Sequence, residues 1–179
     1  MKRIPTLRFC LILLLAAAGV ARAQSISWSF DTAAEDEASR SVQSSPCLAD
    51  ANGDGQQEIF FGSGGGTFYA LYSNGQQWWS YPTDGVIFSS PAVGDINGDN
   101  RPEVVVGSDD GGVYAFRSSG GLLSGSWPVF TGGPVRGSAL LADIDDNGTD
   151  DIIITSGDGN LYALDYQRYD LPGFPDKLG

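Results

Sequence analysis

Three nine-residue stretches hold the residues of this chain that could do chemistry. They read D-A-N-G-D-G-Q-Q-E at Asp50–Glu58, D-I-N-G-D-N-R-P-E at Asp95–Glu103 and D-I-D-D-N-G-T-D-D at Asp143–Asp151. Each places side-chain oxygens at positions 1, 3, 5 and 9. Oxygen ligands at alternating positions of a short loop are what a hard cation such as Ca2+ requires. The ligand set in the first copy is Asp50, Asn52, Asp54 and Glu58; in the second, Asp95, Asn97, Asp99 and Glu103; in the third, Asp143, Asp145, Asn147 and Asp151. Position 7 is Gln56, Arg101 or Thr149. Side chains so unlike one another leave only the backbone carbonyl as a shared donor there. An EF-hand opens similarly but needs a bidentate Glu at position 12, between helices. Here position 12 is Phe61, Val106 or Ile154, so position 9 must close the loop. Position 6 should turn sharply, which suits Gly55 and Gly148, with Asn100 the next-best residue for a left-handed turn.

Asp, Asn and Gly also dominate ordinary polar turns, and one copy alone would read equally well as a turn. Three copies in phase favour up to three Ca2+ sites. The first and second loops carry three carboxylates each, and Arg101 lies within the second. The third carries five: Asp143, Asp145, Asp146, Asp150 and Asp151. Affinity rises with ligand charge, so the third site is expected to be the strongest and the second the weakest.

Other chemistries find little support. The chain has no His, which removes His-based acid–base catalysis, the usual triads and His-ligated zinc. There is no phosphate-loop lysine motif. A carboxylate-only mechanism, as in glycoside hydrolysis, would have to draw on Asp84, Asp109, Asp110, Asp158 or Asp165. Such acids are more often turn residues, and an enzyme is not expected.

The elements that position the loops recur with them. Ser45-Pro46, Ser90-Pro91 and Ser138-Ala139 precede the three loops. Tyr69-Ala70-Leu71, Tyr114-Ala115-Phe116 and Tyr162-Ala163-Leu164 follow them. Successive loops start 45 and then 48 residues apart. Within a unit four short strands are expected: Ser90 to Gly94, the Val104–Gly107 run, a strand around Val113–Phe116 after a Gly/Asp turn, and a looser one leading into Trp127–Phe130. Four-stranded units of this length, with Gly-rich turns and periodic aromatics, indicate an all-β fold of stacked β-propeller blades. The units span about residues 31–82, 83–130 and 131–175. Trp79 and Trp127 recur at one position and are expected between blades. Trp78 should point to the opposite sheet face and offer an exposed contact to a ligand. Asp31 to Gln43 is an acidic insertion expected on the surface.

The D-x-N-x-D-G-x-x-E loop between two strands resembles the FG-GAP/VCBS repeat of integrin-α-type propellers. The V-Y-A-F and L-Y-A-L strands are also similar to PQQ-type propeller repeats. The resemblance covers about residues 26–179. It implies calcium-binding loops that hold blade edges together, in propellers that serve adhesion, ligand recognition or scaffolding. Asn100 at position 6 and Asn147 at position 5 depart from the usual loop. Ser27-Trp28-Ser29-Phe30 resembles the closing strand of a preceding unit, and Gly173-Phe174-Pro175 repeats the Ser126-Trp127-Pro128 pattern that opens the run into a new one. About three blades and part of a fourth are therefore expected. The chain reads as part of a longer propeller, with an open array or closure by oligomerisation as the alternatives.

Residues 1–23 read as a secretory signal peptide: Lys2, Arg3 and Arg8, an apolar stretch from Phe9 to Val20, then Ala21-Arg22-Ala23. No second apolar stretch follows, so no membrane span is expected after its removal. Export to the periplasm, the cell surface or the medium follows. Cys47 would then be the one remaining cysteine, in an apolar context that suggests a buried, inert thiol. Losing four of ten basic residues and none of 22 acids leaves a formal charge of −16. That argues against nucleic acid or anionic membrane as a partner. An extracellular protein or glycan ligand is the expected partner, with calcium in a structural role. The alternatives are a lyase built on a calcium-stabilised propeller and a PQQ-type assembly scaffold.

Overall fold

Behind each acidic loop lies a run of β-branched or aromatic residues, and each run is a central strand in the computed structural model of the chain. The structure describes residues 28–32, 41–123, 127–167, 171–174 and 176–177. The leader-like residues 1–23 lie outside these, as do 33–40 of the acidic insertion. The first unit contains β1 (Cys47–Ala49), β2 (Glu58–Gly62), β3 (Thr67–Leu71) and β4 (Gln77–Pro82). The second contains β5 (Ala92–Gly94), β6 (Glu103–Gly107), β7 (Gly112–Arg117) and β8 (Val129–Phe130). The third contains β9 (Leu140–Ala142), β10 (Asp151–Thr155), β11 (Asn160–Leu164) and β12 (Asp176–Lys177). Each unit is one antiparallel sheet with its strands in chain order. No helix occurs among the described residues. Three four-stranded blades of a β-propeller are the result, and Asp176–Lys177, just past the expected boundary, supplies the last strand of the third.

Blades this small bury their faces only by stacking. Strand β6 shows it: Val104 and Val106 join a cluster with Phe60, Phe68 and Ala70 of the first blade. Val105 between them points the other way, into a cluster with Ile152, Ile154 and Leu164 of the third. The period of two along the strand thus feeds two separate cores, and an uninterrupted valine run is the natural sequence for it. Phe68 stacks on Phe116 across the first junction with ring centroids 5.5 Å apart.

Tryptophans lock the junctions as expected. Trp79 packs against Phe116 at 5.4 Å, and its Nε1–H donates to the Ser118 carbonyl at 2.8 Å. Gly120, at φ 96°, lies directly beneath the ring, where a Cβ would come within 2.6 Å of it. Trp127 repeats the bond, donating to the Tyr166 carbonyl at 3.2 Å. Trp28 sits on Gly75 in the same way, and Phe30 packs on Phe61 and Tyr69. Residues 28–30 therefore dock on the first blade as Trp79–Tyr81 dock on the second. The first strands of the blades neighbour one another, which places the acidic loops at one rim of the assembly.

Two expectations need correction. Cys47 is half-buried rather than buried, although partial burial still raises its thiol pKa. Trp78 does not point away from Trp79. Ala70 pairs with Trp79 and Leu71 with Gln77, so Trp78 is the extra residue of a β-bulge. The bulge breaks the alternation and brings the two indoles to the same junction, 6.4 Å apart.

Candidate metal centre

All three loops are organised by the carboxylate at position 1. Asp50 accepts the N–H groups of Gly53, Asp54 and Gly55 at 2.8, 3.1 and 2.9 Å. Asp95 accepts those of Gly98, Asp99 and Asn100 at 2.8, 3.2 and 2.7 Å. Asp143 accepts those of Asn147 and Gly148 at 3.0 and 2.8 Å. Position 6 is left-handed throughout, Asn100 included at φ 62°. Position 4 is left-handed as well: Gly53, Gly98 and, in the third loop, Asp146 at φ 59°. The glycines of the first two copies were the signal for that second turn. Position 5 accepts the position-7 N–H, with Asp54 to Gln56 at 2.8 Å, Asp99 to Arg101 at 2.9 Å and Asn147 to Thr149 at 2.8 Å. Thr149 also donates its hydroxyl to Asn147.

Position 9 is buried in every copy, at the start of the second strand. There its carboxylate accepts the N–H of position 2: Ala51 to Glu58 at 3.0 Å, Ile96 to Glu103 at 3.2 Å, Ile144 to Asp151 at 2.9 Å. Burial, with Asp99 and Asp95 adding repulsion, pushes the Glu103 carboxyl up to about 7. Burial also raises Asp151, again with neighbouring acids, Asp145 and Asp143, contributing.

The loops differ in what faces the other oxygen of position 9. In the first, Asn52 Nδ2 donates to Glu58 Oε1 at 3.0 Å and to Asp54 at 3.2 Å. In the second, Asn97 Nδ2 donates to Glu103 Oε1 at 2.8 Å. The third loop has Asp145 at this position, which cannot donate when ionised. One ligand oxygen from each of Asp143, Asp145 and Asp151 lies within 4.8 Å of the others. Asp151 Oδ1 is buried and has no hydrogen-bond partner. A buried carboxylate oxygen without a donor is costly. Three converging carboxylates with an orphaned oxygen fit a hard divalent cation by the chemistry of the donor set. Asn147 belongs to the same loop, and its Oδ1 is already bound to Thr149. The structure thus gathers the acids of the third loop into a triad, while in the first two an amide joins the acids instead. Arg101 extends from the second loop into a cleft bordered by Asp50 and Asn52 of the first.

Acids outside the loops have structural partners. Asp110 accepts the Tyr114 hydroxyl at 2.7 Å and the Asp84 N–H, from the preceding linker, at 3.0 Å. Asp158 repeats this with the Tyr162 hydroxyl at 2.7 Å and the Gly132 N–H at 2.8 Å. The hydroxyl, followed by backbone donors, lowers the Asp158 pKa to about 2. Asp109 forms a bidentate pair with Arg136, both contacts 2.8 Å, and Arg136 also lies over the Phe88 ring. By residue type alone these acids read as turn residues. Their reach across blade junctions follows only from the stacking.

The FG-GAP-like repeat matches this chain at residues 50–106 and 95–154. No curated protein matches. Among solved structures, BBS1N in complex with ARL6DN is similar over 73% of this chain and 43% of its own, with 9% identity and a TM-score of 0.54. BamB from Moraxella catarrhalis is similar over 70% of this chain and 35% of its own, with 21% identity and a TM-score of 0.47. The PilY1 C-terminal domain of Pseudomonas aeruginosa is similar over 68% of this chain and 29% of its own, with 24% identity and a TM-score of 0.47. The chain therefore spans about a third to a half of the structures it matches. Among the described residues no helix is long and apolar enough to cross a membrane.

Proposed function

The chain belongs to the FG-GAP-like repeat family, and from that premise we propose that it is an exported, calcium-binding β-propeller module that binds an extracellular protein or glycan. The orphaned, buried Oδ1 of Asp151 beside Asp143 and Asp145 carries the calcium reading. Asp143, Asp145, Asn147 and Asp151, with the Thr149 carbonyl, would hold Ca2+ in the third loop; the matching residues would do so in the first two. Bound there, the ion supplies positive charge that offsets the carboxylate repulsion and pins the hairpin between the first two strands of a blade.

The chain's own residues prepare that role. Position 1 folds the loop around its carboxylate, and position 9 anchors the loop to the second strand. Binding rather than catalysis suits a chain without His whose remaining junction acids are held by tyrosine, arginine and backbone donors. Residues 1–23 would direct export, and further blades from a longer chain or a second copy would extend the ring. The acidic net charge disfavours nucleic acid as a partner.

Each site filled at ten times its dissociation constant adds about 1.4 kcal/mol. A far-UV circular dichroism melt of the chain in millimolar Ca2+ should therefore lie several degrees above one in EDTA. Superimposable cooperative melts would refute the calcium assignment.

A further inference from the structure

Trp78 owes its position to the bulge in β4. In a regular strand it would face away from the second blade, but the extra residue turns it onto the side of Trp79. Bulges recur where a side chain is re-aimed for a purpose. Tyr72 stacks on the indole with centroids 5.5 Å apart and the planes 29° from parallel. The half-buried ring lines a cleft of about 540 Å³ between the first and second blades. Asp50 and Asn52 of the first loop form one wall, and Asn100, Arg101 and Ser118 of the second blade form the other. Arg101 is exposed, and the one ion pair among the described residues is Arg136 with Asp109.

The same gap is closed at the next junction. The Asp150 N–H reaches the Asp95 carbonyl at 3.4 Å, and the Thr149 methyl lies 3.0 Å from where a Cβ on Gly98 would be. Thr149 occupies the loop position of Arg101, so the opening belongs to the first junction rather than to the repeat.

We propose that this cleft is a binding site for a neutral glycan, with a sugar ring against Trp78 and its hydroxyls among Asn100, Arg101 and Ser118. A flat aromatic wall ringed by both donors and acceptors matches a pyranose, which presents C–H groups on its faces and hydroxyls at its edge. The volume is that of a small-ligand site, typically about 300–1,000 Å³. Neutrality follows from charge: a chain of formal charge −12, with Asp50 in the wall, repels polyanions. This site deepens the reading of the propeller as a binding module and rests on it.

The test is a printed array of neutral and acidic glycans probed with the whole chain in Ca2+, followed by calorimetric titration of the best ligand. Trp78→Ala and Arg101→Ala should each weaken binding about tenfold or more. Arg101→Ala should keep the far-UV circular dichroism spectrum of the parent, because that side chain is exposed and its removal leaves the chain folded. Binding of no neutral glycan, retention of acidic glycans alone, or undiminished binding by both variants would overturn the site. A calcium-shifted melt alongside a blank array would sink the cleft and leave the calcium-stabilised propeller standing.

Discussion

Replacing Asp145 by Asn gives the third loop the position-3 amide of the first two and should raise stability in chelator while reducing the gain that Ca2+ brings. In chelator, Asp151 Oδ1 is buried without a donor. The oxygens of Asp143, Asp145 and Asp151 lie within 4.8 Å of one another. Like charges at that separation repel by about 1 kcal/mol under full water screening and about 3 kcal/mol at an intermediate dielectric. A buried acceptor left unsatisfied costs a further ~1–3 kcal/mol. An amide at position 145 removes one charge and supplies the donor that Asn52 gives Glu58 at 3.0 Å and Asn97 gives Glu103 at 2.8 Å. Asp143 and Asp145 are exposed, which reduces the Coulomb share, so the expected gain in EDTA, mostly from satisfying the buried oxygen, is about 2 kcal/mol. For a chain of this size that is roughly 4–8 °C in melting temperature. In millimolar Ca2+ the variant has lost a charged ligand, and its calcium-induced shift should be smaller than that of the parent. Thermal melts of both proteins in EDTA and in a Ca2+ series measure the two effects. A variant less stable than the parent in EDTA, or one with the full calcium shift, would refute the reasoning.

The converse substitution, Asn52→Asp, removes the amide that holds Glu58 and should lower stability in EDTA by about 1–3 kcal/mol while enlarging the calcium shift; calorimetric Ca2+ titration checks the second effect. Asp146→Gly should stabilise by about 1 kcal/mol, because Asp146 holds the left-handed conformation that Gly53 and Gly98 adopt without a Cβ; urea unfolding in EDTA would show it. Asp158 is held near a pKa of about 2 chiefly by the Tyr162 hydroxyl. Its folded pKa lies below the unfolded value, so its contribution is present above about pH 4 and is lost as pH falls toward 2. Tyr162→Phe should therefore flatten the fall in stability between pH 4 and 2, read by denaturant melts across that range.

Much of the architecture is written locally. The acidic loops end where valine, isoleucine and phenylalanine runs begin, and each run is a central strand; in β6 both faces meet a neighbouring blade. The recurrent Trp79 and Trp127 were legible as junction residues from their spacing alone. Left-handed turns at position 6 follow from Gly55, Asn100 and Gly148, since few other residues tolerate that conformation. The third loop could be singled out by its five carboxylates.

Pairing and stacking decided the rest. A period-two reading sends Trp78 away from Trp79, and only the register against β3 reveals the bulge that reverses it. Asp110 and Asp158 look like plain turn acids until the stacked blades bring Asp84 and Gly132 to them. Position 9 reads as one more ligand, yet its burial and its bond to position 2 exist only once the loop folds back on β2, β6 or β10. The sequence by itself determined the repeat, its strands and the residues that could meet a cation, because these depend on residue type and short-range spacing. The tertiary structure alone decided which carboxylate oxygen is left without a donor and which indole faces the cleft. Those outcomes depend on desolvation and on partners contributed by other strands and blades.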